Sequence, residues 1–209
     1  MTAPDRTLNR SIFVIAEGDT ERAATNRLKR FLDERAGNDP KVRLKVLALD
    51  QGLTERRVRG IAERHLQEEG TLGVVTLSDV YPKYRDATQA KETIRSWMPA
   101  GGRCHAHVAK HDFEAWLLAD WNALLRQAHV ARKQPWGMNP EDVDLDNPPA
   151  HRISDLFEHE ANPRRRYKKP VDGKKLFDAL DLERAATMCP ELKGFLNCLL
   201  SLAGYPPLP

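Results

Sequence analysis

The sequence predicts an α/β fold, in which a mostly parallel four-stranded sheet is flanked by helices and followed by a helical C-terminal extension. Two observations predict it. Strand and helix patterns alternate between Ser11 and Asp120, which is typical of parallel sheets covered by helices. From residue 134 onwards, prolines interrupt the chain and short apolar helices replace the strands. We therefore expect an α/β core over residues 1–133 and a helical extension over residues 134–209 that packs on it.

Four segments have the composition of sheet strands. Ser11–Ala16 and Leu72–Leu77 are apolar runs, as expected for strands buried on both faces. In Val42–Ala48 apolar and charged residues alternate, which predicts a half-exposed strand at the edge of the sheet. Cys104–Ala109 is the fourth strand. In the common 2-1-3 strand order, the first and third strands are neighbours.

Helices are predicted after these strands because apolar residues recur there three or four positions apart. The helices of the core are indicated by Ala24, Leu28, Phe31 and Leu32, by Val58, Ile61, Ala62 and Leu66, and by the segments 85–98 and 112–120. Those of the extension are expected at 153–160, 174–180, 182–187 and 192–202. The extension contains enough apolar side chains to dock on the core.

The composition is that of a globular protein. Of the 209 residues, 41% are hydrophobic and 30% are charged, which excludes extended disorder. No apolar run approaches the roughly 18 residues that span a membrane, and the first residues lack the apolar segment of a signal peptide. We therefore expect a cytoplasmic protein that has no membrane partner.

Two carboxylates follow strands at the point where each strand ends. Glu17 comes directly after the first strand, and Asp79 comes directly after the third. Because the carboxyl ends of parallel strands meet at one edge of a sheet, we expect these side chains to converge. Two carboxylates suit Mg²⁺ or Mn²⁺, which could polarise a phosphoryl group or hold an attacking water. Taken singly, each residue is equally consistent with a turn or a helix cap.

Further ionisable groups lie close to these positions. Glu21 follows Glu17 by four residues and is a secondary metal-ligand candidate, although the helix dipole alone also favours a carboxylate there. After the fourth strand, His111 and Glu114 share a helix face. Glu114 is then the expected third acid, and His111 could carry a proton near neutral pH. In the alternative, Asp112 caps this helix and His111 only orients the turn.

A basic cluster lies in the predicted extension. It consists of Arg164, Arg165, Arg166, Lys168, Lys169, Lys174 and Lys175. The net charge of +3 is too small to indicate a nucleic-acid partner by itself. The cluster, together with Arg152, could contact the phosphates of DNA or RNA. We expect the extension to pack beside the acidic edge of the sheet and to place Arg152, Arg166, Lys168 or Lys169 near it. It could equally be a solvated loop.

Several segments, in order along the chain, resemble a known family. Residues 13–21, FVIAEGDTE, look like the V-E-G-x-T-E opening of TOPRIM-like proteins, and residues 76–81, TLSDVY, resemble their second acidic motif. Residues 111–120, HDFEAWLLAD, are similar to the H-E-F-E-A-L-L-F-x-D segment of the bacterial family called domain of unknown function 4276. The segment 149–153 and the later Cys189-Pro190 also follow that family's pattern, so the resemblance covers nearly the whole chain.

The resemblance implies a TOPRIM-like core that binds Mg²⁺ and cuts or joins nucleic-acid backbones, with Glu17 as general acid/base and Asp79 as a metal ligand. The second TOPRIM motif is usually Asp-x-Asp, whereas here Tyr81 stands in place of the second acid. Either Glu114 or Asp120 then supplies the missing ligand, or metal binding is weakened. Members of this family often look like partners of ATPases in bacterial defence loci.

Two functions of different classes follow. The first is a Mg²⁺-dependent nuclease that works with an ATPase in bacterial defence and holds the substrate backbone through the basic cluster. The second is a non-catalytic TOPRIM-like module that binds an ATPase or another protein, and Tyr81 favours it. A phosphotransfer or nucleotide-binding domain ranks last because the sequence has no Gly-rich phosphate-binding motif. The sequence therefore leaves open whether the protein is an enzyme.

Overall fold

The computed structural model describes residues 10–18, 24–131, 139–142 and 146–209. Its sheet contains four parallel strands in the order β2-β1-β3-β4. The α/β class and the parallel sheet with flanking helices are as the sequence predicts, and β1 and β3 are neighbours. The strands are β1 Ser11–Ala16, β2 Arg43–Ala48, β3 Thr71–Asp79 and β4 Cys104–Ala109.

Helices connect the strands and make up most of the C-terminal part. In the first part they are α1 Thr25–Ala36, α2 Glu55–Leu66, α3 Ala87–Trp97, α4 Glu114–Ala119 and α5 Trp121–Ala128. In the extension they are α6 Pro149–Asp155, α7 Lys174–Ala179, α8 Leu182–Met188 and α9 Pro190–Ala203. Shorter turns are 3₁₀-type at Pro140–Asp142 and π-type at Leu156–Glu160 and Lys169–Gly173. None of the described helices is both long and apolar enough to cross a membrane.

The helix predicted over residues 112–120 is shorter than expected, and α5 follows it directly. Asp120, with φ −104° and ψ 71°, ends α4. Its Oδ1 accepts a hydrogen bond from the backbone N–H of Ala123 at 3.0 Å, which caps α5. No glycine or proline separates the two helices, so the apolar pattern gives no sign of this break.

Strand alternation sends the side chains of the sheet into two apolar layers. On one face Ile12 and Val14 lie in a layer with α1, α4 and α9. On the other face Phe13 and Ile15 lie in a layer with α2 and α3. The first layer includes Phe195 of α9. The C-terminal extension therefore forms part of the apolar core that covers the sheet.

A buried carboxylate fixes α9 to α4. Glu141 is 2% exposed, and its Oε1 accepts hydrogen bonds from Trp116 Nε1 at 3.0 Å and from the backbone N–H of Leu192 at 3.2 Å. Its Oε2 accepts from the backbone N–H of Glu191 at 2.9 Å. Burial raises the pKa of Glu141, and these hydrogen bonds oppose that shift. Glu141 thus caps α9 and positions α4, whose first residue is Glu114.

Candidate functional site

The loops that follow β3 and β4 are joined at the carboxyl edge of the sheet. The backbone N–H of Val80 donates to the carbonyl of Ala109 at 3.1 Å, and that of Tyr81 donates to the carbonyl of His111 at 2.9 Å. His111 has a left-handed backbone, with φ 67°. These bonds hold the β3 loop against the segment that leads into α4, so the acids of both loops lie in one region.

Glu17 is held by a hydroxyl and an ammonium group. Ser78 Oγ donates to Glu17 Oε2 at 2.6 Å, and Lys83 forms an ion pair with Glu17 Oε1. The pKa of the nearby Tyr84 is raised, first by burial and second by the charge of Glu17. Gly52, in the loop before α2, packs closely against this site, since a Cβ there would lie 2.9 Å from Glu17 Oε1.

The strand register separates Glu17 from Asp79. Ala16 lies opposite Leu77, so Glu17 is level with Ser78 and Asp79 is one residue further along. Successive side chains point to opposite faces of a sheet. Glu17 therefore lies with Ser78 on the face of α2 and α3, whereas Asp79 belongs to the face of α4 and α9. The strands are neighbours as predicted, and this offset of one residue sends the Glu17 and Asp79 side chains towards different faces of the sheet.

A second group of acids lies on the face of α4 and α9, around Glu114. The Glu114 side chain is 0% exposed, and its Oε2 lies 2.9 Å from Lys169 Nζ. Tyr167 Oη donates to Glu114 Oε1 at 3.3 Å. A carboxylate in such a position requires both a counter-charge and hydrogen-bond donors. Here both come from the C-terminal extension. The sequence predicts Lys169 near the acidic edge, but it does not indicate that Lys169 and Tyr167 meet Glu114.

Lys169 is the cation that several acids share. Burial disfavours its charge, but the carboxylates of Glu114, Asp79 and Asp112 outweigh that effect, so the pKa of Lys169 is raised. Its side chain is 44% exposed, so its ammonium group meets both solvent and the acids. We name Asp79, Asp112, Glu114 and Lys169 the acidic cluster.

Asp112 is the member that the sequence suggested only as a helix cap. It is 8% exposed, and its Oδ2 accepts from the backbone N–H of Ala150 at 3.3 Å. Its Oδ1 has no hydrogen-bond donor among the described residues. Burial and the neighbouring Glu114 raise the pKa of Asp112 to about 7, although Lys169 opposes the shift. Asp112 can therefore gain or lose a proton near neutral pH, and its place next to Glu114 after a strand end was the available signal.

The remaining predicted acids are Asp120 and Glu21. Asp120 is at the opposite end of α4 from Glu114, where it accepts hydrogen bonds from the backbone N–H groups of Ala123 at 3.0 Å and Asp181 at 3.2 Å. One carboxylate oxygen thus caps α5, and the other binds the backbone of the extension just before α8. Glu21 lies outside the residues that the structure describes.

The predicted basic cluster has two kinds of member. Arg165 pairs with the buried Asp172 at 2.7 Å and lies 4.5 Å over the ring of Phe157, and Lys169 belongs to the acidic cluster. Arg152 donates from Nε to the carbonyl of Asn147 at 2.8 Å. Lys174 pairs with Asp178 at 2.7 Å. The remaining members are exposed, namely Arg164, Arg166, Lys168 and Lys175.

The acidic cluster offers oxygen donors of the type that Mg²⁺ and Mn²⁺ prefer. Within residues 10–18, 24–131, 139–142 and 146–209, no three His, Cys, Asp or Glu side chains form a ready ligand set for a metal ion. The carboxylates face the ammonium group of Lys169 instead. The donor chemistry of Asp79, Asp112 and Glu114 still fits a hard cation, and Asp112 Oδ1 is a buried acceptor without a donor among the described residues.

Fold and site together define an α/β protein with an acidic cluster at the carboxyl edge of a parallel sheet. Within that class, the chain belongs to the family described as Domain of unknown function (DUF4276), whose sequence model matches residues 16–200. This confirms the family that the segments at 111–120 and beyond resemble. No curated protein and no solved structure shows a significant match.

Proposed function

We propose that this protein is a TOPRIM-like nuclease that hydrolyses phosphodiester bonds of DNA or RNA with the help of Mg²⁺ or Mn²⁺. The observation that carries the proposal is the acidic cluster, in which Asp79, Asp112 and Glu114 act on one partly exposed ammonium group. Sites in parallel α/β proteins form at this edge of the sheet. The TOPRIM-like motifs around Glu17 and Asp79 support the same reaction.

Asp79 and Glu114 would hold the metal ion, with Asp112 beside them. When bound, such an ion polarises a phosphoryl group and lowers the pKa of a coordinated water. The donor set supports this assignment because Mg²⁺ and Mn²⁺ prefer carboxylate oxygens and need few of them. The shared Lys169 supports it too, since its position is one where these carboxylates already stabilise a positive charge.

The side chains of this protein contribute in distinct ways. Asp112, with a pKa of about 7, can accept a proton from an attacking water near neutral pH. Lys169 can donate hydrogen bonds to the oxygens of the reacting phosphate, and Tyr167 orients Glu114 through its hydroxyl group. Glu17, which Ser78 positions through a hydrogen bond, stays the general acid/base that the TOPRIM resemblance implies.

A second function, a non-catalytic module that binds a partner ATPase in bacterial defence, is favoured by a different observation. Lysines already neutralise the two conspicuous glutamates, since Lys83 pairs with Glu17 and Lys169 with Glu114. The position of the second TOPRIM acid is taken by Tyr81, which is 48% exposed. A site kept for protein binding would retain these features without needing a metal.

Cleavage of labelled single- and double-stranded DNA and RNA distinguishes the two functions. We expect cleavage with Mn²⁺ or Mg²⁺, none with EDTA, and a loss of at least about a hundredfold in Glu114→Gln, because a metal ligand and its charge are removed. Glu158→Gln, at an exposed position of the extension, is the matched control and should retain activity. If the wild-type chain cleaves none of these substrates with either metal, alone or with the ATPase, the nuclease proposal is wrong and the partner-binding function takes its place.

A further inference from the structure

An open cavity of about 880 Å³ lies where α1, α5 and α7 meet. Its polar lining consists of Asn26, Lys29, Arg30, Gln127, Lys175 and Asp178. These residues come from three distant parts of the chain, so the sequence gives no sign that they share a surface. We call this space the α1–α7 cavity.

The lining of the α1–α7 cavity has an excess of positive charge. Among the lining residues, Lys29, Arg30 and Lys175 share a single carboxylate, that of Asp178. Lys174 engages it at 2.7 Å and Arg30 at 3.9 Å. The side chains of Lys29 and Arg30 are 49% and 57% exposed. Lys175 has no ion-pair partner within the part of the chain that the structure describes.

Amide groups add hydrogen-bond donors to this surface. Asn26 and Gln127 line the same cavity and can donate hydrogen bonds without adding charge. Lys29 does pair with Asp33 on the same helix, but an exposed pair of this kind is weak and readily exchanged for a phosphate contact. Cations and amide donors on one concave surface are the groups that bind phosphate oxygens.

We propose that the α1–α7 cavity binds the phosphate groups of a nucleic-acid strand, an inference that rests on the proposed function for its choice of nucleic acid. The position of the cavity agrees with this. The turn Lys169–Gly173 leads directly into α7, so Lys175 is at most roughly 9 Å along the helix axis from Lys169. A strand with one phosphate at the acidic cluster can therefore extend towards the cavity.

The cavity is also a stronger candidate than the basic segment that the sequence singled out. In that segment Arg165 and Lys169 are engaged by Asp172 and Glu114, and their charges serve the protein itself. Lys29 and Arg30 also have acidic partners, Asp33 and Asp178, but these carboxylates are partly exposed. Together with Lys175, the two cations converge on a concave surface. The cavity therefore should account for more of the salt dependence of binding than residues 164–168 do.

Binding of labelled single-stranded DNA and RNA, measured by fluorescence anisotropy in EDTA at several salt concentrations, tests the proposal. The variant is Lys29→Gln/Arg30→Gln/Lys175→Gln. Each phosphate contact on a single strand contributes about 0.7 to the slope of log affinity against log salt, so this slope should become shallower by about 2. The loss of affinity should be roughly tenfold or more at the lowest salt. Circular dichroism checks that the variant is folded.

The matched control is Arg43→Gln/Arg56→Gln/Arg57→Gln, which removes the same charge from exposed residues of β2 and α2. It should leave the slope almost unchanged. Equal slopes in the two triple variants would overturn the proposal, and so would binding of ATP or inorganic phosphate without binding of oligonucleotides. Because EDTA excludes metal-dependent cleavage, cavity-dependent binding by a chain that never cleaves supports this inference while contradicting the nuclease proposal.

Discussion

The two faces of the sheet hold their carboxylates in different ways. On the face of α2 and α3, Glu17 is 19% exposed and meets a half-exposed lysine, Lys83. On the face of α4 and α9, Glu114 is fully buried and meets Lys169 and Tyr167 of the extension. An exposed ion pair contributes little to stability, whereas a buried charge depends strongly on its partner. The difference teaches that folding of the extension is coupled to the acidic cluster and much less to Glu17.

The largest effect on stability should come from replacing Glu141, the residue that fixes α4 to α9. Glu141→Ala leaves the indole N–H of Trp116 and the backbone N–H groups of Glu191 and Leu192 without their acceptor. We expect the free energy of unfolding to fall by about 3 kcal/mol, measured by urea denaturation. Glu158→Ala serves as the exposed control, and an equally small change in both variants would contradict the role given to Glu141.

The next largest effect on the free energy of unfolding is expected for the buried ion pair on the face of α4 and α9. Lys169→Met leaves Glu114 buried without its counter-charge, and we expect a loss of about 2 kcal/mol, less than for a fully buried pair because the Lys169 side chain is partly exposed. Adding Glu114→Gln to this variant should restore part of the stability. If the double variant is no more stable than Lys169→Met, the buried charge of Glu114 is not the cause.

A smaller effect should appear in the pH dependence of stability. The pKa of Asp112 is about 7 in the folded protein and about 3.9 in an unfolded chain. The folded state thus holds more protons between these values, so the stability contributed by Asp112 is complete below about pH 4 and is lost as the pH rises through about 7. Relative to Asp112→Asn, the wild-type chain should lose at least about 1 kcal/mol between pH 4 and pH 8 in urea denaturation. A constant difference over this range would show that the pKa of Asp112 is not raised.

The smallest effect is expected on the face of Glu17. Lys83→Ala removes a half-exposed ion pair, while Ser78 still donates to the same carboxylate. The free energy of unfolding should change by less than about 1 kcal/mol. A loss as large as that of Lys169→Met, in the same denaturation experiment, would erase the contrast between the two faces.

Much of the fold follows from sequence pattern, while the arrangement of the site does not. The apolar runs at Ser11–Ala16 and Leu72–Leu77 predict central parallel strands because only strands covered on both faces are so uniformly apolar. The offset of one residue between Glu17 and Asp79 depends on strand register, which such continuous runs do not encode. Periodicity likewise gives no sign of the break at Asp120.

The residues that local sequence patterns do not connect to the site reach it through long-range contacts. Tyr167 and Lys169 reach Glu114 across more than fifty residues of chain, and no local pattern indicates that contact. In the sequence Lys169 is one of several basic residues in an exposed segment, and only the folded extension distinguishes it from Lys168. The burial of Asp112 could not be predicted from the sequence either, because it depends on a long-range contact. The backbone N–H of Ala150, at the start of α6, donates to its carboxylate.

Titration of Mn²⁺ into the wild-type chain, Glu114→Gln and Glu17→Gln, followed by calorimetry, tests most directly whether the metal site lies in the acidic cluster. We expect the wild type to bind Mn²⁺, Glu114→Gln to lose at least about tenfold in affinity because a carboxylate ligand is gone, and Glu17→Gln to bind almost as well as the wild type. Circular dichroism should confirm that both variants are folded. Binding that is lost in Glu17→Gln but retained in Glu114→Gln would contradict the assignment, and a wild-type chain that binds no Mn²⁺ would contradict the metal-dependent function itself.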